Sequence, residues 1–566
     1  MSDLLLFNPG LILILGALPL PFLPLALRRI YVMALPVITF AYVLGLDAGA
    51  SQTLSYFGYE LEVLRVDRLS LVWAYVFSIA ACLGVLYSLH QDDRLQDTTA
   101  VIYAGSGLGA VFAGDMITLF VFWELTAISS VFLIWANRNE RAYRAGMRYL
   151  IIQIASGVIL LAGVLLWINQ TGSIAFNAIG IESLAGKLIF IAFGIKCAFP
   201  LLHNWLQDAY PEATATGTVM LSVFTTKLAV YALARGYAGT DILIYIGVTM
   251  TAFPIFFAVI ENNLRKVLAY SLNNQLGFMV VGIGIGSELS LNGTAAHAFV
   301  HILYKALLFM SMGAVLHRTG TTKATELGGL YKSMPFTTVF CTIGAMSISA
   351  FPLFSGFIAK GMVLTAAAGE GYWGVWLVLV MASAGVMEHS GIKIPYFAFF
   401  AHDSGKRPKE APLNMLLAMG ITAFLSIFLG VYPDPLYDIL PYPVDFAPYT
   451  IAHVITQLQL LMFSVLAFIF LIKSGLYPDE IPSTNLDFDV IYRRFAPKVI
   501  QNIGRSIATV DTGFRKSALE LIGGIMRWVE RTHGQNGILA KTSTAGVMIA
   551  WVVSLLVVYL VFYFIG

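Results

Sequence analysis

The sequence predicts an all-α, polytopic membrane protein, and both its composition and its segment lengths support this fold class. Charged residues make up only 12% of the 566 residues, about half of their share in a soluble domain, and the mean hydropathy is +0.79. Apolar runs of about twenty residues, enough to cross a bilayer as a helix, recur along the whole chain. The short alternating segments typical of a transmembrane β-barrel do not occur.

The net charge and the cysteines exclude several function classes. The formal net charge is +2, so bulk electrostatics predict no nucleic-acid partner. Cys82, Cys197 and Cys341 lie within or at the ends of apolar segments, where we expect small core residues without disulfides. The chain has neither a cysteine cluster nor a GxGxxG motif on a strand–helix unit. We therefore expect no cofactor and no redox centre.

Sixteen candidate spans follow one another, with no soluble domain between them. The first, 4–27, shows no cleavage site for a targeting peptide. In chain order they cover approximately 4–27, 30–48, 68–90, 99–114, 115–136, 146–168, 187–205, 213–235, 241–260, 267–286, 293–317, 335–360, 373–400, 411–431, 452–474 and 545–565.

The basic residues of the short loops predict an orientation, because lysine and arginine are enriched in cytoplasmic loops. They cluster after odd-numbered spans and are scarce after even-numbered ones, so we expect the N-terminus outside. The basic loops carry Arg28 and Arg29, then Arg138, Arg141, Arg144 and Arg148, then Arg265 and Lys266, then Arg318, Lys323 and Lys332, and finally Lys406, Arg407 and Lys409.

The fifth candidate span carries an acid at membrane depth. Its sequence, GDMITLFVFWELTAISSVFLIW, places Glu124 deep in an apolar helix, whereas Asp115 near its start is expected to cap it. A structural hydrogen bond to a neighbouring helix is one interpretation of Glu124. We favour a carboxylate paired with a buried lysine, because breaking such a pair in a low dielectric frees the lysine to change its proton.

Residues 187–235 form two spans, around which the chain is organised, and each has a lysine at its middle. These are Lys196 and Lys227, and Pro200 interrupts the first span. A lysine at bilayer depth costs at least roughly 2.5–3.5 kcal/mol. Snorkelling to the interface is the structural alternative. We favour the interpretation that both lysines line a polar path for ions or protons.

The eleventh span places three titratable residues on one helical face. His297, His301 and Lys305 are spaced i, i+4, i+8, which stacks them at steps of about 6 Å. Histidine accepts and releases protons near neutral pH, so the face is a candidate proton relay. Metal binding and simple packing are the alternatives, but no glutamate or cysteine completes a metal-ligand set beside the histidines.

The second half of the chain repeats the first in outline. The tripeptide FPL at 351–353 repeats the FPL at 199–201, again inside an apolar run, and Lys360 is expected at the end of that interrupted helix. Helices broken at matching positions of two halves are typical of inverted-repeat transporters. The thirteenth span holds Glu388, His389 and Lys393. Of these we favour Lys393 as functional, with snorkelling toward the cytoplasmic loop as the alternative.

Five motifs within residues 100–430 carry a family resemblance. They are GDMITLFVFWELTAISS, IKCAFPLLHNWLQDAYPEATATGTVMLSVFTTKLAVYALAR, LRKVLAYSLNNQLGF, HAFVHILYKALLF and FPLFSGFIAK. On these motifs the sequence resembles the antiporter-like subunits shared by respiratory complex I and Mrp-type multisubunit cation/proton antiporters.

The resemblance implies a fold and a set of site residues. It implies about 14–15 core transmembrane helices that contain two inverted five-helix repeats with broken helices. It also implies a central hydrophilic axis of alternating acid, lysine and histidine. By motif position, the axis comprises Glu124, Lys196, Lys227, His297, His301, Lys305, Lys360 and Lys393.

The C-terminal part extends beyond this core. Residues 476–544 are polar, and apolar residues recur within them at i+3/i+4 spacing, which predicts an amphipathic helix before a final span. We interpret the helix as a strut along neighbouring subunits, with attachment to the cytoplasmic membrane surface as the alternative. The stripe consists of Val499, Ile503, Ile507, Val510, Phe514, Leu521, Ile525 and Val529.

These expectations divide the chain into six segments. They are N-terminal transmembrane helices (1–97), a first antiporter-like repeat (98–260), a second repeat (261–431), an additional transmembrane helix (432–475), the amphipathic lateral helix (476–544) and a terminal transmembrane helix (545–566).

The predicted function is proton translocation within a multisubunit complex of the cell (inner) membrane. The D-type subunit of an Mrp-type Na⁺/H⁺ antiporter is favoured, with other membrane subunits, protons, Na⁺ and the lipid bilayer as partners. One alternative is the proton-pumping subunit of a complex I-like NADH dehydrogenase or a membrane-bound hydrogenase. The others are the membrane subunit of an inorganic-carbon uptake complex and a scaffold whose polar residues only pack helices.

Overall fold

Helices make up almost all of the regular structure, as the sequence predicts. The computed structural model describes residues 6–56, 58–478, 480–481 and 485–565. The chain divides into two units, Met1–Asn485 and Leu486–Gly566. In chain order, the helices and strands of the first unit are α1 Gly10–Gly16, α2 Leu25–Leu44, β1 Ser51–Tyr56, β2 Tyr59–Arg65, α3 Arg68–Ser88, α4 Arg94–Val111, α5 Met116–Trp135, α6 Glu140–Thr171, α7 Leu184–Lys196, α8 Asn204–Ala209, α9 Gly217–Val223, α10 Thr225–Gly236, α11 Ile242–Ile260, α12 Leu264–Ile285, α13 Glu288–Thr319, α14 Pro335–Ile348, α15 Ser355–Gly369, α16 Trp373–Val386, α17 Lys393–Pro395, α18 Leu413–Val431, α19 Asp434–Tyr437 and α20 Ile451–Lys473.

Short stretches of other helix types join these elements. Two π-helical stretches, Met387–Ile392 and Tyr396–Phe400, flank α17, so that Trp373–Phe400 runs as one helix. Single 3₁₀ turns occur at Leu20–Phe22, Tyr210–Glu212, Ala324–Glu326 and Leu330–Lys332. In the second unit, a π-helical stretch at Ile491–Phe495 precedes α21 Ala496–His533 and α22 Ala545–Ile565.

Eleven helices in the described part of the chain are long and apolar enough to cross a membrane. Several others belong to spans that are split into two shorter helices. The chain is therefore a multi-pass membrane protein. At its centre lies α13, which packs against α3, α9, α12, α14, α15 and α18 and is buried along nearly its whole length.

The two broken spans share one local structure. The first consists of α7 and α8 and the second of α14 and α15, and in each the sequence AFPL follows the first helix within two residues. The proline of each AFPL stops the helix, since proline lacks an N–H and cannot continue the hydrogen-bond ladder. The predicted interruption of both spans at these prolines is confirmed.

The backbone of the two breaks repeats residue for residue. In the first break, Ala198 and Leu201 have φ of 60° and 71°, and in the second Ala350 and Leu353 have φ of 57° and 74°. The amide of the phenylalanine in AFPL donates to a carbonyl five residues earlier in both cases, at 3.0 Å. A left-handed conformation costs a non-glycine residue of order 1–3 kcal/mol and persists only where the surroundings impose it. Each break is therefore a built feature of the fold.

The N-terminal region differs from the sequence prediction. A continuous helix over 4–27 is wrong, because α1 ends at Gly16 and only a 3₁₀ turn, Leu20–Phe22, follows before α2. Pro19, Pro21 and Pro24 explain the difference, since prolines at this spacing remove the amides that a helix needs. Residues 1–5 of that prediction lie outside the described part of the chain.

A β-hairpin between α2 and α3 was not predicted. Its strands β1 and β2 are antiparallel, with Ser51 opposite Arg65 and Tyr56 opposite Tyr59. The alternation in SQTLSY and YELEVLR, with a glycine between them, is the signal that could have found it.

In the second unit, the predicted amphipathic helix is confirmed as α21, which has 38 residues. At 1.5 Å per residue this corresponds to about 57 Å. The apolar residues of its stripe are all exposed on the chain itself.

Candidate functional site

The site begins on α5 with a capped helix end and a half-buried acid. Asp115 caps α5, since its Oδ1 accepts hydrogen bonds from the amides of Ile117 at 2.8 Å and Thr118 at 2.7 Å. Glu124 lies two turns further along, and its Oε1 is buried without a hydrogen-bond partner among the described residues. On α6, Gly157 faces this carboxylate so closely that a Cβ there would overlap Oε1. A glycine thus makes the room that Glu124 occupies.

Lys196 is the last residue of α7, directly before the first break. Its side chain is fully buried, and its Nζ donates to the carbonyl of Trp123 and, at 2.9 Å, to Oγ1 of Thr126. The ammonium also lies 4.3 Å from the centroid of the Trp123 ring. Trp123 directly precedes Glu124, and the charges of Lys196 and Glu124 interact. The ammonium nevertheless donates its hydrogen bonds to Trp123 and Thr126, and Oε1 of Glu124 accepts none from the described residues.

Lys227 lies beside another helix discontinuity. Helix α9 ends at Val223 and α10 begins at Thr225, and Nζ of Lys227 donates to the carbonyl of Ser222 at 2.6 Å. The last carbonyls of a helix have no partner within it, and they lie at the negative end of the helix dipole. The break therefore supplies a buried acceptor for an ammonium group.

Two further lysines are held in the same way. Nζ of Lys360 donates at 2.6 Å to the carbonyl of Ile348, the last residue of α14. Nζ of Lys393 donates to the carbonyl of Val259, one residue before the end of α11. Three of the predicted lysines thus bind helix C-termini inside the protein.

The prediction that Lys360 lies at the end of its interrupted helix is wrong, since α15 begins at Ser355 and continues to Gly369.

The predicted face of α13 is a continuous buried surface. His297, His301 and Lys305 are each fully buried on this one helix, and the two imidazole rings meet edge to face at 6.0 Å. Nε2 of His297 lies 3.2 Å from Oε1 of Gln275 and 3.0 Å from the hydroxyl of Tyr304. Both ring nitrogens of His301 and the Nζ of Lys305 lack hydrogen-bond partners among the described residues.

Electrostatic contacts connect these groups into a series. The charge of Lys227 acts on His301 and Lys305, and that of Lys360 acts on the same two residues. At the far end, Lys393 forms an ion pair with Glu480 at 2.7 Å. These interactions link Lys227 through the α13 residues and Lys360 to Lys393, while Glu124 and Lys196 interact with each other.

Three residues beside these groups were not among the predicted site residues, although the sequence analysis had named one of them, His389. Gln275 on α12 bonds to His297 and Tyr304. His389 is fully buried, receives the charges of Lys305, Lys360 and Lys393, and bonds through Ser390 to Ser271. Glu480 is the third. For His389, the signal in the sequence was its i, i+4 spacing to Lys393 in an apolar span; the other two carried none.

Comparison with known proteins gives a consistent result. The family described as NADH:quinone oxidoreductase/Mrp antiporter matches residues 113–386. The A-type Na⁺/H⁺ antiporter subunit of Alkalihalophilus pseudofirmus is 28% identical over 484 residues, which cover 74% of this chain and 60% of that protein. The D-type subunit from the same organism is 28% identical over 356 residues, 58% of this chain and 71% of that protein. The M-type NADH-quinone oxidoreductase subunit of Pseudomonas aeruginosa is 26% identical over 414 residues, 66% of this chain and 80% of that protein.

Two solved structures share the fold. A chain of the Mrp complex from Dietzia sp. DQ12-45-1b has a TM-score of 0.69 and 21% identity, and the match covers 76% of this chain and 96% of that chain. A chain of the archaeal membrane-bound sulfane sulfur reductase has a TM-score of 0.70 and 21% identity, covering 98% and 99%. The chain spans about three fifths of the A-type antiporter protein, the first of the relatives above. Residues 113–386 are therefore similar to the antiporter-like membrane subunits shared by Mrp antiporters and NADH:quinone oxidoreductases.

Proposed function

We propose that the chain translocates protons as the antiporter-like subunit of a multisubunit membrane complex. The observation that carries this proposal is the set of buried titratable groups, which comprises the Glu124–Lys196 pair and the linked groups from Lys227 to Lys393. Buried ionisable residues at membrane depth are costly and mark ion or proton pathways. A scaffold would not need lysines at helix breaks, because apolar residues pack the same space without the cost of burying charge.

The helix ends supply the carbonyl acceptors that hold the buried lysines. Each helix-end carbonyl stabilises a neighbouring ammonium group without adding a counter-ion. Lys305 nevertheless lies close enough to Lys227 and Lys360 for their charges to act on it, so it is repelled by both when all three are protonated. A proton that enters at one end therefore favours the release of a proton further along, which is the coupling a transporter requires.

In its finer form, the proposal is a D-type subunit of an Mrp-type Na⁺/H⁺ antiporter in the cell inner membrane. Protons and Na⁺ would be the transported ions, and other membrane subunits the partners. The similarity to the A-type and D-type antiporter proteins supports this proposal. The basic loops support an N-terminus on the outer side, with residues 10–22 counted as the first crossing.

One observation favours a second candidate, a proton-pumping subunit driven by electron transfer in a partner. The match to the sulfane sulfur reductase chain covers 98% of this chain, whereas the match to the Mrp chain covers 76%. The similarity to the M-type protein of NADH-quinone oxidoreductase points the same way. The difference between the two candidates lies in the partners and the energy source, since the buried series is common to both.

Purification of the native complex separates these candidates. We expect its other subunits to be antiporter subunits, and we expect added Na⁺ to dissipate an imposed pH gradient in membrane vesicles that contain it. Redox subunits, with proton uptake driven only by an electron donor, would establish the second candidate instead. Full transport by a Lys227→Ala variant would contradict both and leave the scaffold interpretation.

The stripe on α21 is expected to hold the complex together. Ile507 and Phe514 are 63% and 75% exposed on the chain, and burying such side chains contributes about 1.5–3 kcal/mol each. Replacing both with asparagine should weaken association with a neighbouring subunit on the order of a hundredfold or more. Native gels and co-purification measure this loss.

The opposite face of α21 provides the matched control. Thr509 and Lys516 lie about half a helical turn from the stripe, so asparagine at both positions leaves the stripe intact while lowering helix propensity at least as much. Loss of assembly in the control as well would mean that the whole helix, and not its stripe, is needed. Normal assembly of the stripe variant would show that the stripe binds lipid and not protein.

A further inference from the structure

A pocket of about 360 Å³ lies beside the end of the buried series. Its lining comes from the loop after α13, from the end of the Trp373–Phe400 helix and from the segment after α20. The rim residues His402, Gly475 and Pro478 are exposed, so the pocket opens to the exterior. The basic loops that contribute Thr325 and His402 place it on the face predicted to be cytoplasmic.

Glu480 links this pocket to the last lysine of the series. It lines the pocket, and its Oε1 lies 2.7 Å from Nζ of Lys393. Its side chain is only 8% exposed, and that of Lys393 is 0% exposed. The second oxygen, Oε2, is also buried and accepts no hydrogen bond from the described residues. Glu480 thus contacts a buried ammonium through Oε1, and the same residue lines a pocket with exposed rim residues.

Hydrogen bonds hold described residues on both sides of Glu480 against other parts of the first unit. Before Glu480, two backbone amides that follow α20 donate to the carbonyl of Leu471, each at 3.0 Å. After it, Nδ2 of Asn485 donates to Oε2 of Glu261 at 3.2 Å. Glu261 lies directly after α11, the helix whose terminal carbonyls bind Lys393. These bonds hold residues before and after Glu480 in place.

Other ionisable groups surround the pair. Glu388 and His389 face Lys393 from its own helix, and Glu261, which pairs with Lys266 at 2.9 Å, faces it from the loop before α12. Tyr477 lies beside Glu480, and its hydroxyl interacts with that carboxylate. Burial raises the pKa of Glu480, while the charge of Lys393 opposes the shift. A carboxyl with a raised pKa holds a proton nearer to neutral pH, as an exchanging group must.

We propose that Glu480 is the proton-exchanging carboxylate that connects Lys393, through this pocket, to water on the predicted cytoplasmic face. The inference rests on the proposed function. When a proton leaves the protein, the ammonium of Lys393 transfers it to Oε1 of Glu480 and becomes a neutral amine, while the carboxylate becomes a carboxylic acid. The acid then releases the proton to water in the pocket and returns to a carboxylate. Inward movement reverses the two steps, so protons balance in both directions.

Two substitutions separate proton exchange from a structural role. Glu480→Gln keeps the size of the side chain and an oxygen that accepts a hydrogen bond from Lys393, but it cannot carry a proton. Glu480→Asp keeps the carboxylate on a shorter stem. We expect the Gln variant to lose at least about tenfold in proton flux and the Asp variant to recover most of it. Flux is followed with a pH-sensitive dye in vesicles that contain the assembled complex, with Na⁺ or an electron donor added.

Glu326→Gln is the matched control, because Glu326 also forms an ion pair with a lysine at 2.8 Å, with Lys323, but at an exposed site next to the pocket loops. It should transport normally. If Glu480→Gln assembles and also transports normally while Glu124→Ala does not, Glu480 carries no protons and the proposed function still stands. If neither variant affects flux, the proposed function fails, and the inference about Glu480 fails with it. If the Gln and Asp variants are equally impaired while assembled, a role in geometry replaces proton exchange.

Discussion

Replacing Glu124 by alanine is expected to abolish proton transport without preventing assembly. Its carboxylate is the acid that interacts with Lys196. Its Oε1 has no hydrogen-bond partner among the described residues, so no hydrogen-bonded neighbour there can take over its role. A positioned proton-transfer group contributes typically 10²–10⁴-fold, so we expect a loss of about a hundredfold or more. The measurement is proton flux in membrane vesicles, normalised to the amount of assembled complex on native gels.

Gly157→Ala tests the same carboxylate without removing it. The added Cβ would overlap Oε1 of Glu124 and force the side chain to move, and a displacement of about 1 Å can reduce a rate strongly. Gly369→Ala is its control, because a Cβ at the end of α15 meets open space. Glu140→Ala is the control for the acid, since Glu140 pairs with Arg144 at an exposed site. Normal transport by assembled Glu124→Ala would remove this residue from the path.

The sequence predicts the titratable groups of the path better than it predicts their partners. Glu124, Lys196 and Lys227 stand out because an ionisable side chain inside twenty apolar residues is costly wherever it points. The acceptors of the lysines do not stand out, because they are backbone carbonyls of Ser222 and Ile348 at helix ends. Every residue has a backbone carbonyl, so the sequence does not show which carbonyl is free to accept a hydrogen bond. Only the position of each helix break shows this.

The position of Lys360 shows the same limit. The proline at 352 predicts that the span is broken, but it does not predict that a second helix restarts at Ser355 and carries the lysine in its second turn. Glu480 is harder still to predict. Its segment is polar and lies outside every span, and it pairs with Lys393 across the fold while the nearby Asn485 hydrogen-bonds to Glu261. Contacts between segments so distant in the chain leave no periodicity to read.

The two broken spans explain why one backbone motif occurs twice. In both, AFPL ends a helix inside the protein and frees its last carbonyls, at a conformational cost carried by two left-handed residues. In the second half, the freed carbonyl of Ile348 binds Lys360. In the first half, the helix ends on Lys196 itself, and the ammonium turns to α5 instead. The same break therefore positions a lysine in each half. In the first half the lysine lies at the end of the broken helix and donates to α5, and in the second half the lysine donates to the end of the broken helix.

Replacing His301 by alanine is expected to slow proton flux by about tenfold or more. His301 lies on α13 between the charges of Lys227 and Lys305, and neither of its ring nitrogens has a hydrogen-bond partner among the described residues. An imidazole can accept a proton on one nitrogen and release it from the other. Removing it interrupts the proposed relay, because the histidine and the lysine on either side of it on the same helix, His297 and Lys305, are each four positions away.

Two further variants show which property of His301 matters. His301→Gln keeps a polar side chain that hydrogen-bonds but does not titrate, so flux near the wild-type level would mean that hydrogen bonding suffices. His317→Ala is the control, because His317 lies on the same helix but near its end, with its ring against His90. If His301→Ala, His297→Ala and Lys305→Ala all assemble and transport at the full rate, protons do not pass along α13. The path from Lys227 to Lys393 would then have to run along other helices.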